Sequence, residues 1–243
     1  MCTGGPLDGT AGPTALTTTS VRMENSSLAH RLRLTVITDE ALARPRTLSD
    51  VVREALAAGA PTIQLRLKGA TARELLEAAH ALLPIVHSSG ALFIVNDRLD
   101  VALAAGADGV HLGPDDPPVS DARQVAGQTL GAAADSFIVG ASVDTIDEAT
   151  RVEVEGASYL GVGAVYATTN KSDAGEAIGL EGLRRLVDAV SIPVVGIGGI
   201  TTERAHAVAQ TGASGCAVIG AVMGSPEPGE AVRALLEPFA GTA

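Results

Sequence analysis

Ala104-Ala105-Gly106-Ala107, followed by the apolar run Gly109–Leu112, is one copy of a pattern that recurs along the chain and decides its fold. Similar small-residue turns stand at Ala57-Ala58-Gly59-Ala60, Glu155-Gly156-Ala157 and Thr211-Gly212-Ala213. Each turn lies between an amphipathic stretch and a β-branched run. Glycine adopts the left-handed conformation that ends a helix, and its small neighbour lets the chain enter a strand at once. Four such turns indicate that one strand–helix unit repeats.

Eight strands are predicted from the apolar runs before and after these turns. They are Leu34–Thr38, Thr62–Leu67, Leu92–Asn96, Gly109–Leu112, Ile138–Ser142, Tyr159–Ala164, Pro193–Gly198 and Gly215–Gly220. Helices are predicted at Leu48–Ala58, Ala72–Ser88, Leu99–Ala105, Val119–Gly127, Ile146–Glu155, Leu180–Ala189, Thr202–Gln210 and Glu227–Phe239. Near-continuous apolar strands that alternate with helices indicate a parallel sheet covered by helices.

The chain of 243 residues has the length of one α/β barrel. We therefore predict a single-domain (β/α)8 TIM barrel over residues 31–243. An open doubly wound sheet is the alternative architecture, and the absence of a GxGxxG motif after the first strand disfavours it. Residues 1–30 are rich in Gly, Thr, Ser and Pro without periodicity, so we predict a disordered tail there.

Composition limits the classes of function. The formal net charge is −11 and aromatic residues make up 2% of the chain, which argues against a nucleic-acid partner. No apolar run is long enough to span a membrane, and the amino terminus lacks the pattern of a signal peptide. Cys2 and Cys216 are too far apart in sequence for a CxxC site, so a reduced, cytoplasmic setting is expected. Small molecules are the expected partners, and a homo-oligomer is compatible with the sequence.

Polar residues concentrate at the carboxyl ends of the predicted strands, where barrel enzymes place their active sites. Gly198-Gly199 follows the seventh strand and precedes a helix, and such a turn offers backbone N–H groups to a phosphate. The alternative is that the two glycines only form a tight turn. The Gly215–Gly220 run that ends the eighth strand favours the phosphate interpretation.

Cations are expected at the same end of the barrel. Alternation places Gln64, Arg66 and Lys68 on one face of the second strand, and Lys171 follows the sixth strand. Any one of these cations could serve solubility alone. Three of them at strand ends point to a polyanionic ligand such as a diphosphate.

Carboxylates end two neighbouring strands at Asp97 and Asp116. Mg²⁺ typically binds through one or two carboxylates together with substrate oxygens, so these two residues are candidate Mg²⁺ ligands. The alternative is that each caps the helix that follows it. His111 lies inside an apolar run, and we interpret it as a hydrogen-bonded core histidine.

An ordered set of motifs carries a resemblance to a known family. The motifs are QLRLK (64–68), VNDR (95–98), ADGVHLG (107–113), GVGAVY (161–166), KSDAG (171–175), VGIGGI (195–200) and GCAVIGA (215–221). Together they resemble the thiamine phosphate synthase family, in the family's order, over about residues 33–240. The resemblance implies a transferase with a (β/α)8 barrel and Mg²⁺. It also implies that 4-amino-2-methyl-5-hydroxymethylpyrimidine diphosphate is joined to a thiazole phosphate, giving thiamine phosphate and diphosphate.

The resemblance also assigns roles to residues. The diphosphate and pyrimidine would be bound by Gln64, Arg66, Lys68, Asn96, Ser142 and Lys171. Mg²⁺ would be bound by Asp97 and Asp116, the second favoured over Asp115 by the resemblance alone. The thiazole phosphate would contact Thr168, Thr169, Asn170, Gly199, Ile219 and Gly220. Arg66, Lys68, Ser142 and Lys171 would carry the catalysis, by helping diphosphate to leave before the new bond forms.

The sequence departs from the family's usual pattern at four places, two of which lie in the thiazole phosphate half of the predicted site. Asn170 stands where the family usually has Thr, and Gly220 where it usually has Ser, both at the thiazole phosphate end. Pro114 replaces the usual Gln, and the segment from Asp116 to Ser142 is longer than usual. The alternatives are a thiazole tautomerase-like isomerase and a non-catalytic phosphate-binding barrel. The tautomerase is disfavoured because Asp144 stands where it has a His.

Overall fold

The eight strands close into one parallel barrel in a computed structural model that describes residues 1, 28–168 and 176–241. Each strand pairs with its neighbours in sequence, and β1 pairs with β8, with Val36 opposite Val218. The predicted (β/α)8 barrel is therefore confirmed. The strands are β1 (Leu34–Ile37), β2 (Thr62–Leu65), β3 (Leu92–Asn96), β4 (Gly109–Leu112), β5 (Ile138–Val143), β6 (Tyr159–Val162), β7 (Val194–Ile197) and β8 (Gly215–Val218).

Helices cover the outside of the barrel. They are α1 (Glu40–Ala43), α2 (Leu48–Ala57), α3 (Ala72–Ser88), α4 (Leu99–Ala105), α5 (Val119–Leu130), α6 (Ile146–Val154), α7 (Gly179–Ala189), α8 (Thr202–Ala209), α9 (Gly220–Met223) and α10 (Pro228–Leu236). Short 3-10 helices follow α5 and α10, at Gly131–Ser136 and Glu237–Phe239. None of these helices in the described part of the chain has both the length and the apolar character of a membrane span.

The four glycine turns have the predicted conformation. The φ angles are 96° at Gly59, 71° at Gly106, 99° at Gly156 and 87° at Gly212. After Gly106, the backbone N–H of Ala107 donates to Ala102 over 2.9 Å, which satisfies a carbonyl at the end of α4. A side chain at any of these glycines would be strained by the positive φ, so the turns require this residue type.

Capping boxes fix where three of the helices begin. In each, a Thr side chain accepts from the backbone N–H three residues later, and the acidic side chain there accepts from the Thr backbone. The pairs are Thr47 with Asp50, Thr71 with Glu74, and Thr145 with Glu148. Thr71 and Thr145 follow β2 and β5, and Thr47 follows α1, so the three boxes hold connections that lead from strands to the outer helices.

Apolar side chains form two cores because successive residues of a strand face opposite sides. The larger core lies between strands and helices. The smaller one fills the barrel interior and is formed by Leu32, Ile37, Leu92, Ile94, Ile138, Tyr159, Val195, Ala217 and Ile219. The largest side chain of this smaller core is Tyr159, whose hydroxyl group lies beside the buried His111.

Some element bounds differ from the predicted ones. β2 ends at Leu65 rather than Leu67, because the backbone N–H of Arg66 donates to the side chain of Thr38 and leaves the strand ladder. The segment between Asp116 and Ser142 contains α5 and the 3-10 helix Gly131–Ser136. That 3-10 helix precedes β5, so it lies at the end of the barrel opposite the strands' carboxyl ends.

The amino-terminal boundary stays a prediction, since residues 2–27 lie outside the described part of the chain. Residues 28–31 form a helical turn in which Leu32 donates to the carbonyl of Leu28 over 2.9 Å. Leu28 packs against the interior core. The chain is therefore already part of the barrel a few residues before the predicted boundary at residue 31.

Candidate functional site

Two adjoining cavities open at the carboxyl ends of the strands. Their volumes are about 890 Å³ and about 160 Å³. Both are lined by Pro114, Asp115, Ser142, Gly161, Ile197, Ala217 and Ile219, so they form one continuous mouth. The carboxyl ends of a parallel barrel are where such enzymes bind substrates. Two ligands side by side would therefore meet near Ser142.

Arg66 enters the smaller cavity from the end of β2. The Thr38 hydroxyl donates to the Arg66 carbonyl over 2.9 Å and accepts from its N–H over 2.8 Å, which fixes the backbone there. The Arg66 guanidinium lies 4.0 Å from the carboxylate of Asp39, and both side chains are largely buried. Gln64, two residues earlier, is 3% exposed and lines the same cavity. The predicted alternation from Gln64 to Arg66 thus leads both residues to the mouth.

Asp97 has φ of 64° and is the one non-glycine residue with a positive φ among those the structure describes. Its backbone N–H donates to the His111 carbonyl over 2.8 Å, which ties β3 to β4. The N-cap of α4 is Arg98 rather than Asp97, and no side chain caps that helix. Helix capping therefore does not explain Asp97. Unfavourable backbone geometry of this kind persists where surrounding structure holds it, often at a functional site.

Asp116 faces Asp97 across Gly113. A Cβ atom placed on Gly113 would lie 3.4 Å from Oδ2 of Asp116 and 3.9 Å from Oδ1 of Asp97. Gly113 also donates its N–H to Oδ2 of Asp116 over 2.7 Å. The N-cap of α5 is Pro118, so Asp116 does not cap that helix either. The two carboxylates converge on the space that the missing side chain of Gly113 leaves.

The donors at this point suit a magnesium ion that also binds substrate. No group of three or more His, Cys, Asp or Glu side chains able to hold a metal occurs within the described ranges. Among the described residues, the carboxylates of Asp97 and Asp116 are thus the protein groups that could bind a metal ion here. Mg²⁺ commonly binds in this way, with water and substrate phosphate oxygens completing its coordination. The residues therefore fit the ion.

Ser142 lies near the end of β5, where the two cavities join. Its hydroxyl is 3.0 Å from Nε2 of His111, and Nδ1 of that histidine is 2.9 Å from the Tyr159 hydroxyl. His111 is 9% exposed and has both ring nitrogens within hydrogen-bonding distance of a partner. The structure agrees with the interpretation of His111 as a hydrogen-bonded core residue, and it adds Ser142 as one of the partners.

The turn after β7 forms one wall of the larger cavity. Gly198 and Gly199 have φ of 98° and 61°. A Cβ on Gly198 would lie 2.7 Å from the Cα of Ala164, so the close approach of two chain segments requires glycine. α8 begins just beyond, and its N-cap Thr201 makes no side-chain cap hydrogen bond. The turn is therefore tight, which is the second of the two sequence interpretations. It also precedes the amino terminus of a helix, which is a type of site that binds anions.

Arg204 is a cation of this wall that the sequence did not single out. Its Nη1 donates to the Gly199 carbonyl over 2.6 Å, and its guanidinium lies 4.5 Å from the centre of the Tyr166 ring. The only available signal was its position in the first turn of the helix after the glycine pair. Two other charged side chains of the larger cavity, Glu148 and Arg151, were also missed, and Asp144, considered only against the tautomerase, lines it too.

Most predicted site residues meet in this mouth. The smaller cavity is lined by Gln64, Arg66, Asn96, Asp97, Asp116 and Ser142. The larger one is lined by Ser142, Thr168, Gly199, Ile219 and Gly220. Lys68 lines neither cavity. Thr169, Asn170 and Lys171 lie outside the described residues, so their predicted roles stay predictions.

Comparison with known proteins matches this chain to one family. The family model described as thiamine monophosphate synthase matches residues 34–222. The thiamine-phosphate synthase of Moorella thermoacetica is 48% identical over 204 residues, which cover 84% of this chain and 94% of that protein. The thiamine-phosphate synthase of Pyrococcus furiosus is 47% identical over 209 residues, covering 86% and 95% respectively.

A solved structure gives the same result. The thiamine phosphate pyrophosphorylase from Pyrococcus furiosus superposes with a TM-score of 0.78 at 45% identity, covering 88% of this chain and all of that one. A 3-hexulose-6-phosphate synthase superposes with a TM-score of 0.62 at 19% identity over 86% of this chain. The second likeness concerns the barrel fold alone.

Proposed function

Because this chain belongs to the thiamine monophosphate synthase family, we propose that its two adjoining cavities bind the two substrates of that synthesis. The enzyme joins 4-amino-2-methyl-5-hydroxymethylpyrimidine diphosphate to a thiazole phosphate and releases thiamine phosphate and diphosphate. The observation that carries the assignment is the shared position of Ser142. Ser142 lines both cavities. The smaller cavity also contains the carboxylates and Arg66, and the larger cavity also contains the glycine turn after β7.

The diphosphate half of the site is the smaller cavity. Asp97 and Asp116 would hold Mg²⁺, which supplies positive charge to the leaving diphosphate when bound. Arg66 lies beside that position and has its guanidinium held by Asp39. Lys68 and Lys171 are proposed to add charge from their loops. Gln64, Asn96 and Ser142 are proposed to hold the pyrimidine.

The thiazole half is the larger cavity. Backbone N–H groups of the turn at Gly199 and of Gly220 are proposed to bind the phosphate, together with Thr168, Thr169 and Asn170, while Ile219 lines the same site. Gly220 lacks the hydroxyl that the family usually has there. Arg204 lines the same wall and brings a guanidinium to it. We propose that this arginine offsets the missing hydroxyl, because a guanidinium binds phosphate oxygens strongly.

The chemistry that these residues support is dissociative. The bond from the pyrimidine methylene carbon to the diphosphate oxygen breaks first, and the electron pair leaves with diphosphate. The 4-amino group donates electron density to the resulting cation. The thiazole nitrogen then supplies the electron pair of the new C–N bond. Groups that neutralise the leaving diphosphate therefore act on the transition state, and the phosphate anchor holds the thiazole nitrogen in line.

The direct test is an end-point assay with both substrates, in Mg²⁺ and in excess EDTA, with thiamine phosphate detected by mass. We expect product only with Mg²⁺. Product in EDTA would contradict the metal proposal while leaving the synthase assignment intact. No product, with pyrimidine diphosphate still bound, would indicate that Asn170 and Gly220 have changed the second substrate. Failure of both product formation and binding would favour the tautomerase-like isomerase or the non-catalytic barrel.

A further inference from the structure

Thr35 is a buried threonine of β1 whose hydroxyl has no hydrogen-bond partner among the described residues. The residue is 1% exposed. The other buried threonines, Thr38, Thr62 and Thr211, each donate the hydroxyl to a backbone carbonyl, over 2.7 to 2.9 Å. A buried hydroxyl without a partner destabilises the folded state, and native proteins keep few of them. The exception at Thr35 points to a partner that binds from solution.

The position of Thr35 is the floor of the smaller cavity. Successive residues of a strand face opposite sides, and Thr35 stands two positions before Ile37, a member of the interior core. Thr35 therefore faces the barrel interior, and it lines the smaller cavity together with Ile37, Val195 and Ala217. Arg66 lines the same cavity from beyond the carboxyl end of β2, whereas Thr35 is the second residue of β1. The threonine thus lies at the end of the cavity away from the mouth.

Two glycines determine which side of the interior is filled by aromatic rings. A Cβ on Gly140 would lie 2.3 Å from Cζ of Tyr159, and a Cβ on Gly161 would lie 2.8 Å from Cε1 of His111. The two rings therefore occupy the volume that side chains on β5 and β6 would otherwise fill, with their centres 5.4 Å apart. Neither β1 nor β8 contains an aromatic residue, so the floor on their side is built from shorter side chains.

A hydrogen-bond donor and a small apolar group stand side by side on this floor. Thr35 of β1 and Ala217 of β8 are Cα partners in the sheet, so their side chains are neighbours on the interior face. Ala217 is 7% exposed and contributes only a methyl group. A hydroxyl beside a small methyl fits the edge of a heteroaromatic ring on which a nitrogen, an acceptor, adjoins a methyl substituent.

The pyrimidine of the proposed substrate has this edge. Its diphosphate is attached through the methylene at C5, and its 2-methyl group lies at the opposite end of the ring, between the two ring nitrogens. With the diphosphate held at the mouth by Arg66 and the metal carboxylates, the methyl end points toward the floor. We propose that Thr35 is a specificity-determining residue whose hydroxyl donates to a ring nitrogen beside the 2-methyl group, which lies against Ala217. The inference rests on the proposed function and deepens it.

The hydroxyl of Thr35 should therefore act oppositely on stability and on binding. In the free protein this hydroxyl is removed from water without gaining a hydrogen bond, so it destabilises the fold. In the complex it has a partner, so its hydrogen bond contributes to affinity for the pyrimidine. A threonine with a purely structural hydrogen bond behaves the other way, because its loss lowers stability and leaves the affinity unchanged.

The central test is Thr35→Val, which replaces the hydroxyl by a methyl group of similar size. We expect the Kd for the pyrimidine diphosphate, measured by titration calorimetry with Mg²⁺, to rise about tenfold, as the loss of one hydrogen bond predicts. The Kd for inorganic diphosphate should stay within about twofold, since that ligand has no ring to reach the floor. The Tm should rise by about 2 °C, because an unpartnered hydroxyl is removed. Thr35→Ser keeps the hydroxyl and should retain the affinity of the unmodified enzyme.

Thr62→Val is the matched control. Thr62 is the Cα partner of Thr35 on β2, is fully buried and donates its hydroxyl to the Arg31 carbonyl over 2.7 Å. It lines neither cavity. The expected results are the reverse of those for Thr35→Val. The Tm should fall by about 3 °C, and the Kd for the pyrimidine diphosphate should not change.

Three results would overturn the proposal. The first is an unchanged Kd for the pyrimidine diphosphate in Thr35→Val. The second is an equal loss of affinity for both diphosphates, together with a fall in Tm like that of Thr62→Val, which would identify a structural role. The third is a loss of affinity in Thr35→Ser as large as in Thr35→Val. Thiamine phosphate formation by the unmodified enzyme is measured alongside. Its failure, with the pyrimidine diphosphate still bound, would reject the synthase assignment separately from the role of Thr35.

Discussion

The guanidinium of Arg204 lies over the ring of Tyr166, 4.5 Å from the ring centre. The arginine belongs to α8, whereas the tyrosine belongs to the segment that follows β6 and leads to Thr168. The same guanidinium donates to the Gly199 carbonyl. One side chain therefore holds together the two chain segments that are proposed to surround the thiazole phosphate.

Arg204→Gln should weaken binding of the thiazole phosphate. We expect its KM to rise about tenfold, because a charge-assisted contact is lost, while the KM for the pyrimidine diphosphate changes little. Steady-state kinetics with each substrate varied in turn measures both constants. Arg184→Gln is the matched control, since Arg184 is also exposed and also donates to a backbone carbonyl, that of Gln210. A rise in both KM values in Arg204→Gln would contradict a role confined to the phosphate.

Asp97→Asn should abolish most turnover without unfolding the barrel. Asparagine tolerates a positive φ, so the backbone at this position can be kept while the carboxylate is lost. The expected loss of turnover is at least about a hundredfold, which corresponds to about 2.7 kcal/mol of charge stabilisation. Calorimetric titration of Mg²⁺ in the presence of inorganic diphosphate should show weakened binding in this variant. Asp100→Asn, which disturbs the exposed pair with Arg98 nearby, should retain both properties.

Cys216 should be inert toward thiol reagents in the native protein. It is fully buried in β8, and burial raises its pKa to about 12. At pH 8 the reactive thiolate is then far scarcer than for an exposed cysteine. Brief alkylation followed by peptide mass spectrometry should label the peptide of Cys216 only in denaturant. Because the pKa is raised, the thiol's contribution to stability is complete at neutral pH and decreases once the pH exceeds the ordinary thiol value.

Glu148 should stabilise the protein in a pH-dependent way. Its pKa is lowered, chiefly by the backbone hydrogen bond from Asp144. A lowered pKa means that the stabilisation is present above the ordinary glutamate value and disappears as the pH falls through the native one. Glu148→Ala should therefore lower the Tm by about 2 °C at pH 7 and by less below pH 4. Glu181→Ala, which removes an exposed carboxylate 3.4 Å from Arg185, serves as the comparison. A difference in Tm that stays constant down to pH 3 would exclude the cap as its source.

Local signals in the sequence were sufficient for the architecture. Gly106 and its three counterparts end helices by a conformation that only nearby residues determine, so their meaning could be recognised without tertiary contacts. The positions of Asp97 and Gly199 at the carboxyl ends of strands could also be predicted locally, because both residues come soon after a strand. The sequence alone left open whether Asp97 caps a helix, because that depends on a dihedral angle. The φ of 64° and the N-cap at Arg98 exclude the capping interpretation.

Contacts between distant residues could not be predicted in the same way. Tyr159 was placed in a strand as one apolar residue among others, and nothing near it in sequence indicates His111, 48 residues earlier. Arg204 was one of several arginines on helices, and its contact with Tyr166 depends on how α8 packs against the loop after β6. Both relationships arise from barrel closure, which a local pattern does not encode.

Gly140 and Gly161 restrict which substitutions the barrel interior can accept during evolution. Position 140 can gain a side chain only if the ring at position 159 shrinks, because the two compete for the same volume. Position 161 and the ring of His111 are linked in the same manner. Substitutions at these four sites should therefore be inherited in pairs, and a single change in one lineage would be selected against until its counterpart followed. A comparison of many relatives would detect the two pairs as covarying positions.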